Sequence, residues 1–375
     1  MIDAKNTIFI YNFMLMFVEA LVLLYLGQGA RSEKQNDRRK KLFIVLVAAQ
    51  WILISGLRAA WVGSDTINYL NNFKKHCKLP WETVFTNFYK FYIEGDESQF
   101  FEPGFVLFER VVGIFSNDLI WYQFAIALVF MPLFGKFLYK NSDDPFLSFL
   151  VYSGFMYFMF SLTGYRQVIS CAIGIFIGYE FIKKRNFWMF LFVIAIAYTV
   201  HKSIITFFPF YFLANKKITQ RYLTVVIIMA IVLLVFRNQA FGLLKSVVGY
   251  DEYAQIDAGA PVNFTILLAI LVTAALIQRK FIIYRDESPV VTHCYNGILM
   301  MCMTIFAAFV NPTAMRVVYN YGFFLLLFVP KLAQSFSKQN DKFMVYSIII
   351  AVFAFFIITN AKPYQFYWEY GGYRY

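Results

Sequence analysis

The chain has 375 residues, of which 60% are hydrophobic, 21% aromatic and only 15% charged, and its mean hydropathy is +0.58. Because a soluble domain carries roughly 25% charged residues, this composition excludes an ordinary water-soluble protein and predicts an all-α, polytopic transmembrane bundle. The formal net charge of +12 follows the alternation of membrane loops, so we do not expect nucleic acid as a partner.

The cysteines and histidines predict neither a disulfide framework nor a metal centre. The four cysteines show no CxxC spacing, and the three histidines lie far apart in the sequence. Structural zinc needs clustered ligands at short spacing, which this chain lacks. We therefore expect no metal and no cofactor.

The hydrophobic runs predict about twelve spans in one integral membrane domain, residues 1–375, with no internal repeat and no soluble domain. A hydrocarbon core of ~30 Å requires roughly 17–25 apolar residues, and most of the runs approach this length. The predicted spans are Thr7–Leu26, Leu42–Leu57, Leu119–Leu138, Phe146–Leu162, Arg166–Ile182, Phe187–Val200, Ile204–Leu213, Leu223–Phe236, Phe264–Ile277, His293–Val310, Val317–Leu332 and Phe343–Thr359.

The distribution of Lys and Arg predicts the orientation. The loop Gly27–Lys41 has the densest basic run of the chain, with six Lys and Arg residues, and the positive-inside rule puts it in the cytoplasm. Residues 58–117 then form an outer loop between spans two and three, which is too polar to cross the membrane. Aromatic residues in Trp81–Tyr92 are spaced for one helical face, which either lies on the membrane surface or packs over the spans.

Two polar motifs fall in this outer loop. Arg58 is followed by the sequence GSDTINY, in which Asp65 with Ser64 can cap a short helix ahead of Tyr69. Glu102 precedes Pro103, a pattern typical of a helix start. A snorkelling arginine and two helix caps would explain both motifs without a functional site.

The stretch from Gly164 to Ser203 reads as a hairpin of two spans. Its turn is the basic run Lys183–Arg185, while Arg166 and His201 meet at the opposite, outer end. Arg316 begins a later span on the same predicted side. Ionisable groups at span ends beside water are functional candidates, and several arginines on one face suit an anion such as a lipid diphosphate. They do not suit a cation channel.

The order of these motifs resembles the EpsG family of Wzy-like polysaccharide polymerases. The matching pieces cover roughly residues 58–330 and are Arg58 with Gly63–Asp65 and Tyr69, the sequence EPGF at 102–105, Arg166 with Gln167, the sequence HKS at 201–203, and Arg316 with Tyr319. The resemblance implies a fold like that of the all-helical C-type glycosyltransferases, with short amphipathic helices in the outer loop. It also implies a bacterial plasma (inner) membrane protein of O-antigen, capsule or exopolysaccharide biosynthesis.

The family likeness implies a metal-independent glycosyltransferase that joins repeat units linked to undecaprenyl diphosphate. Arg166, Arg316 and Arg58 are then candidates for the diphosphate, and His201, Asp65 and Glu102 for the general base, in an order that the sequence leaves open. The glycan and lipid would contact Tyr69, Gln167 and Tyr319. Membrane lipid, a chain-length regulator and a flippase of the same pathway are the expected partners.

Other functions remain open from the sequence alone. An O-antigen ligase or another lipid-diphosphate-dependent glycosyltransferase would use the same residues with a different acceptor. A flippase or transporter of lipid-linked glycan would carry arginines inside its spans, whereas these arginines fall at one predicted face. In a structural or regulatory subunit, the clustered charges would be incidental.

Overall fold

The computed structural model describes residues 7–96, 101–248, 261–286 and 288–369 of the chain, with the backbone alone for 245–248 and 284–285. Within these ranges the protein is helical, and the only β pairing is an isolated bridge between Arg58 and Phe366. The all-α class predicted from the composition is confirmed for this part of the chain.

The α-helices of the described residues range from 4 to 24 residues in length. The α-helices are α1 (Thr7–Ala20), α2 (Glu33–Gly56), α3 (Thr66–His76), α4 (Trp81–Tyr89), α5 (Pro103–Val112), α6 (Leu119–Asn141), α7 (Pro145–Val151), α8 (Tyr165–Cys171), α9 (Gly178–Lys183), α10 (Phe187–Val200), α11 (Phe210–Leu213), α12 (Gln220–Val235), α13 (Arg237–Val248), α14 (Val262–Ile277), α15 (Arg279–Arg285), α16 (Pro289–Val310), α17 (Met315–Gln334) and α18 (Gln339–Thr359). Segments of π-helix cover Leu21–Tyr25, Lys90–Glu94, Tyr152–Met156, Phe158–Leu162 and Ala172–Ile177, and 3₁₀ turns cover Gln28–Ala30, Lys202–Phe207, Pro312–Ala314 and Tyr367–Glu369.

Five helical stretches of the described chain are long and apolar enough to cross a membrane: Thr7–Ala30, Leu119–Asn141, Pro289–Val310, Pro312–Gln334 and Gln339–Thr359. A sixth forms if α12 and the start of α13, which meet at a bend of 93°, count as one broken span. Several of the other predicted spans fall on apolar helices of 10–17 residues, which are short for a ~30 Å core. The total of twelve spans therefore stays a prediction.

The start of α2 differs from the sequence prediction. Five of the six basic residues assigned to a loop, Lys34 and Arg38–Lys41, lie in the first turns of the helix, which begins at Glu33 and not at Leu42. Ser32 accepts a hydrogen bond from the Gln35 backbone while the Gln35 side chain accepts one from Ser32 N, so a capping box fixes the earlier start. These five side chains then occupy helical positions that precede the apolar part of α2.

The described chain divides into two compact units. The first comprises Met1–Ile177, Ala195–His201 and Ile349–Tyr375, and the second comprises Gly178–Ile194 and Lys202–Ile348. In the first unit, α2 packs along α6, and a group of stacked rings fills the interior beside α6, formed by Phe130, Phe134, Tyr152, Phe160 and Phe176. In the second unit, α16 and α17 form the most extensive helix pair, and most residues of both helices are buried.

The region predicted as an outer loop contains three α-helices, α3, α4 and α5, all in the first unit. Their amphipathic character agrees with the sequence. The apolar side chains of α4 and the turn after it are exposed at four-residue intervals, namely Trp81, Phe85, Tyr89 and Ile93. This spacing puts them on one face of the helix, whereas Val84 and Asn87 face the interior.

Candidate functional site

A buried carboxylate contacts both Arg166 and His201, one from each predicted span of the hairpin. Glu102 is 5% exposed, and its Oε2 lies 2.7 Å from Arg166 Nη1 while its Oε1 lies 2.8 Å from His201 Nδ1. All three residues belong to the first unit. The two oxygens of an ionised carboxylate each accept a hydrogen bond here, so Glu102 fixes the position of both a guanidinium and an imidazole.

Local sequence explains how Glu102 reaches this position. Glu102 is the N-cap of α5 and Pro103 occupies the first helical turn, as the sequence predicts, but the Glu102 side chain makes no cap hydrogen bond. At Gly104, a Cβ atom would lie 2.6 Å from the backbone carbon and oxygen of Thr199 near the end of α10. The glycine therefore permits the close approach that brings Glu102 to His201.

Aromatic rings surround the Arg166 side chain. Its guanidinium carbon lies 4.6 Å from the centroid of the Phe101 ring, and its Nε lies 3.5 Å from the Tyr69 hydroxyl. Tyr69 stacks on Phe101 at 5.4 Å and on Tyr165 at 4.8 Å between centroids. The cation–π contact fixes the orientation of the guanidinium. A guanidinium is planar and can bind two oxygens of one anion.

The electrostatics of the cluster favour an ionised Glu102. Burial raises the pKa of this carboxyl, but the charges of Arg166 and His201, the hydrogen bond from His201 and a backbone hydrogen bond outweigh burial and hold the pKa of Glu102 below its usual range. A buried pair of this kind is destabilised strongly when one partner is removed, by roughly 3–5 kcal/mol. Glu102 is therefore negative at neutral pH and holds Arg166 and His201 in place.

The depressed pKa predicts how Glu102→Gln changes the response to acid. A carboxyl with a lowered folded-state pKa stabilises the protein above its unfolded pKa of about 4.3, and this stabilisation disappears as the pH falls through the lower folded value. We expect the melting temperature of wild type to exceed that of the variant by a constant margin from pH 5 to 8, and the margin to shrink below about pH 4. Thermal unfolding of both purified proteins over this pH range measures it. A margin that stays unchanged down to pH 3 would contradict an ionic role for Glu102.

Arg58 lies in the same unit but in a different setting from Arg166. It is 1% exposed, and its guanidinium donates hydrogen bonds to the carbonyl oxygens of Ser55, Val62 and Leu162 and to the Tyr165 hydroxyl. A guanidinium has five N–H groups, and four hydrogen bonds use nearly all of them. Arg58 therefore ties the end of α2 to the turn before α8, which supports Tyr165.

Gly63 allows this turn to form. Its φ of +105° lies in the region that favours glycine, and a Cβ atom there would overlap the carbonyl oxygen of Leu162. The Thr66 hydroxyl donates hydrogen bonds to the carbonyl oxygens of Val62 and Leu162, at 3.1 and 3.4 Å. Residues 62–66 and the turn before α8 are thus held together by backbone acceptors.

Two further predicted site residues lie near this turn. Asp65 occupies the N-cap position of α3, as predicted, but its side chain makes no cap hydrogen bond and instead accepts one from Thr163 Oγ1 at 3.3 Å. Gln167 is 1% exposed and hydrogen-bonds to the Cys171 side chain. The Asp65 carboxylate therefore faces the chain that leads into Arg166, whereas Gln167 is an interior residue of α8.

Arg316 and Tyr319 lie in the second unit. Arg316 is 8% exposed in the first turn of α17, and the Tyr319 ring lies edge-on to Phe264 at 6.3 Å. Asn320 beside them donates to the carbonyl oxygen of Ser203 and the hydroxyl of Thr206. The first turn of α17 is thus held to the segment that follows His201 in sequence.

Sequence reasoning missed a second carboxylate cluster in the first unit. Glu109 is fully buried, lies 2.5 Å from His76 Nδ1 and accepts a hydrogen bond from the Tyr122 hydroxyl. One signal was present, since Glu109 follows Glu102 by seven residues and His76 follows Tyr69 by seven, which puts each pair on one helical face. The described residues contain no group of three His, Cys, Asp or Glu side chains that could hold a metal ion.

Comparison with known proteins identifies the family. The family model described as "EpsG family" matches residues 41–371, which is nearly the whole chain and includes the cluster around Glu102. Searches of curated proteins and of solved structures found no match. EpsG proteins are Wzy-like polysaccharide polymerases, so the match supports a role in polysaccharide biosynthesis at a membrane. On the extent of this match, the chain belongs to the EpsG family.

Proposed function

We propose that this protein polymerises lipid-linked oligosaccharide repeat units on the outer side of the bacterial plasma membrane. The observation that carries the proposal is the buried Glu102, which positions Arg166 and His201 together in a chain of a polymerase family. A guanidinium suits a diphosphate leaving group, and an imidazole held at one nitrogen suits proton transfer at the other. The substrate is a growing glycan on undecaprenyl diphosphate.

The reaction is a single glycosyl transfer. A sugar hydroxyl of the incoming unit attacks the anomeric carbon of the growing glycan, a new C–O bond forms, and the bond from that carbon to the diphosphate breaks. The leaving lipid diphosphate takes the electron pair, and Arg166 stabilises its charge. His201 receives the hydroxyl proton, while Glu102 holds His201 Nδ1 and stabilises the resulting imidazolium.

The other candidate residues receive supporting roles in this proposal. Arg316 is the second diphosphate ligand, and Asp65 binds the acceptor sugar. Tyr69 and Tyr319 pack against the glycan or the isoprenyl chain, because rings present large apolar faces. Arg58 and Gln167 act through packing, since the hydrogen bonds of Arg58 go to the protein and Gln167 is an interior residue.

The transfer is expected to need no metal ion, because arginines supply the positive charge at the leaving group. Incubation of the purified protein with a chelator should leave the polymerisation rate unchanged. A rate that falls with chelator and returns with a divalent cation would contradict this assignment.

The proposed topology has twelve spans, with a cytoplasmic N-terminal basic run and residues 58–117 outside. A cysteine at Asn36 should then be protected from an impermeant thiol reagent in intact cells, and a cysteine at Asp96 should react. Labelling is measured after Cys77→Ser and Cys302→Ser, because these two of the four free cysteines are partly exposed. Labelling at position 36 but not at position 96 would show that the orientation is the opposite of the proposed one.

The cellular test of the proposed function is deletion of the gene. A polymerase predicts that single lipid-linked repeat units replace the ladder of chain lengths. An O-antigen ligase predicts that long chains persist on the lipid carrier, and a flippase predicts that repeat units remain on the cytoplasmic side. Either of the last two profiles would overturn the proposal. A chain-length regulator and a flippase of the same pathway are the proposed protein partners.

A further inference from the structure

The cluster around Glu109 repeats the carboxylate–imidazole pairing of the cluster around Glu102. Glu109 Oε2 lies 2.5 Å from His76 Nδ1, as Glu102 Oε1 lies 2.8 Å from His201 Nδ1. The Tyr122 hydroxyl donates to the remaining Glu109 oxygen, the place that Arg166 takes at Glu102. In both clusters each carboxyl oxygen has a side-chain partner. The Glu109 cluster differs in that, among the described residues, no guanidinium contacts the carboxyl group.

The two pairs follow the same two helices. Tyr69 and His76 are seven residues apart on α3, and Glu102 and Glu109 are seven residues apart at the N-cap and in the last turn of α5. Seven residues make two helical turns, so the pairs are offset by about 10 Å along the helices. Phe101 contacts both of them, with its ring 4.6 Å from the Arg166 guanidinium carbon and 5.9 Å from the His76 ring.

One ring nitrogen of His76 has no hydrogen-bond partner among the described residues. The Glu109 side chain is 0% exposed, whereas that of His76 is 15% exposed. Glu109 holds Nδ1, and no described residue hydrogen-bonds to Nε2. A buried carboxyl group paired with a polar side chain adds little stability over apolar residues of similar size, so packing alone gives no reason for Glu109. Its clearest effect is to fix the orientation of an imidazole that is partly open.

We propose that His76, oriented by Glu109, forms a subsite that binds a sugar hydroxyl of the glycan, two helical turns from Arg166. The inference rests on the proposed function and names the part of the same site that contacts the sugar. A hydroxyl both donates and accepts, so it hydrogen-bonds to Nε2 in either protonation state of the ring. Phe101 and Tyr69 provide stacked rings beside it. A short oligosaccharide then reaches from the diphosphate at Arg166 to His76.

Two substitutions separate this role from a structural one. In His76→Asn, the amide nitrogen replaces Nδ1 and keeps the hydrogen bond to Glu109, while the polar atom at Nε2 is lost. In His76→Gln, a polar atom remains near Nε2, but the hydrogen bond to Glu109 is lost. A subsite predicts that glycan binding survives better in the Gln variant, and a purely structural role predicts that it survives better in the Asn variant.

The experiment measures binding to the purified full-length protein by calorimetry with two probes. One probe is the repeat-unit oligosaccharide released by mild acid from the lipid-linked glycans of the parent cells, which lacks the diphosphate. The other is inorganic pyrophosphate. Loss of one hydrogen bond should weaken oligosaccharide binding in His76→Asn by roughly three- to tenfold and leave pyrophosphate binding unchanged.

The two probes distinguish failure of the subsite from failure of the proposed function. Arg166→Lys should weaken pyrophosphate binding and leave oligosaccharide binding unchanged. Equal oligosaccharide affinity in wild type and His76→Asn, or no oligosaccharide binding to wild type, would overturn the subsite, whatever pyrophosphate does. If Arg166→Lys does not change pyrophosphate binding, the diphosphate role of Arg166 fails, and the His76 result still stands alone.

Discussion

Arg166→Lys is expected to reduce the rate of polymerisation by at least about a hundredfold, although it keeps the positive charge. An ammonium cannot grip two phosphate oxygens in one plane, and loss of one preorganised donor to a developing charge typically costs roughly 10²–10³ in rate. The substitution also disturbs the 2.7 Å contact with Glu102 and the stacking on Phe101. The rate is measured with lipid-linked repeat units and purified protein at equal folded amounts.

Arg110→Lys is the matched control for this result. Arg110 lies on α5, stacks over Trp81 at 4.7 Å and donates to the Leu79 carbonyl oxygen, outside the Glu102 cluster. The control should keep nearly the wild-type rate. Arg316→Lys should resemble Arg166→Lys if both arginines bind the diphosphate. Wild-type rates in Arg166→Lys and Arg316→Lys would rule out a bidentate role for Arg166 and for Arg316.

Gly63→Ala is expected to destabilise the fold strongly, although it adds only one methyl group. The added Cβ atom overlaps the Leu162 carbonyl oxygen, and φ = +105° disfavours any side chain. Strain of this type costs on the order of 1–3 kcal/mol, and the forced shift breaks hydrogen bonds from Arg58 and Thr66 to the same carbonyl. We expect little folded protein in membranes, measured by size-exclusion chromatography and thermal unfolding in detergent.

Gly95→Ala provides the comparison, because Gly95 also has a positive φ, of +70°, but among the described residues beyond its chain neighbours no atom lies within 4 Å of its Cβ position. This variant carries only the cost of a left-handed backbone, about 1–2 kcal/mol, and should remain folded. A melting temperature for Gly63→Ala as high as that for Gly95→Ala would show that the turn between residues 62 and 66 tolerates the extra atom, contrary to the packing described.

The sequence predicted the helical class and the meeting of Arg166 with His201, because span ends and charge distribution are local signals. Glu102 before Pro103 predicted the start of α5 correctly. The same signal is explained equally well by a simple cap, since the partners of Glu102 lie 64 and 99 residues away and no local rule reports them. The capping hydrogen bond expected of Asp65 is absent for a similar reason, because Thr163 lies 98 residues away.

Other features depended on packing that a single sequence does not reveal. Arg58 is the third candidate diphosphate ligand in the sequence, which does not reveal that its guanidinium donates to three backbone carbonyl oxygens. Glu109 and His76 each occupy an ordinary amphipathic helix and become a pair only where α3 and α5 pack together. The basic residues before Leu42 suggested a loop by charge, and the capping box at Ser32 overrode that expectation.

Polymerisation by purified protein tests the central claim most directly. Wild-type protein and Glu102→Gln are reconstituted in liposomes with lipid-linked repeat units, and product length is read by gel electrophoresis after both proteins are shown to be folded. The proposed function predicts a ladder of chain lengths from wild type. It predicts single units from Glu102→Gln, because one amide cannot accept from both Arg166 and His201. A wild-type ladder from the Gln variant, or single units alone from wild type, would contradict the account.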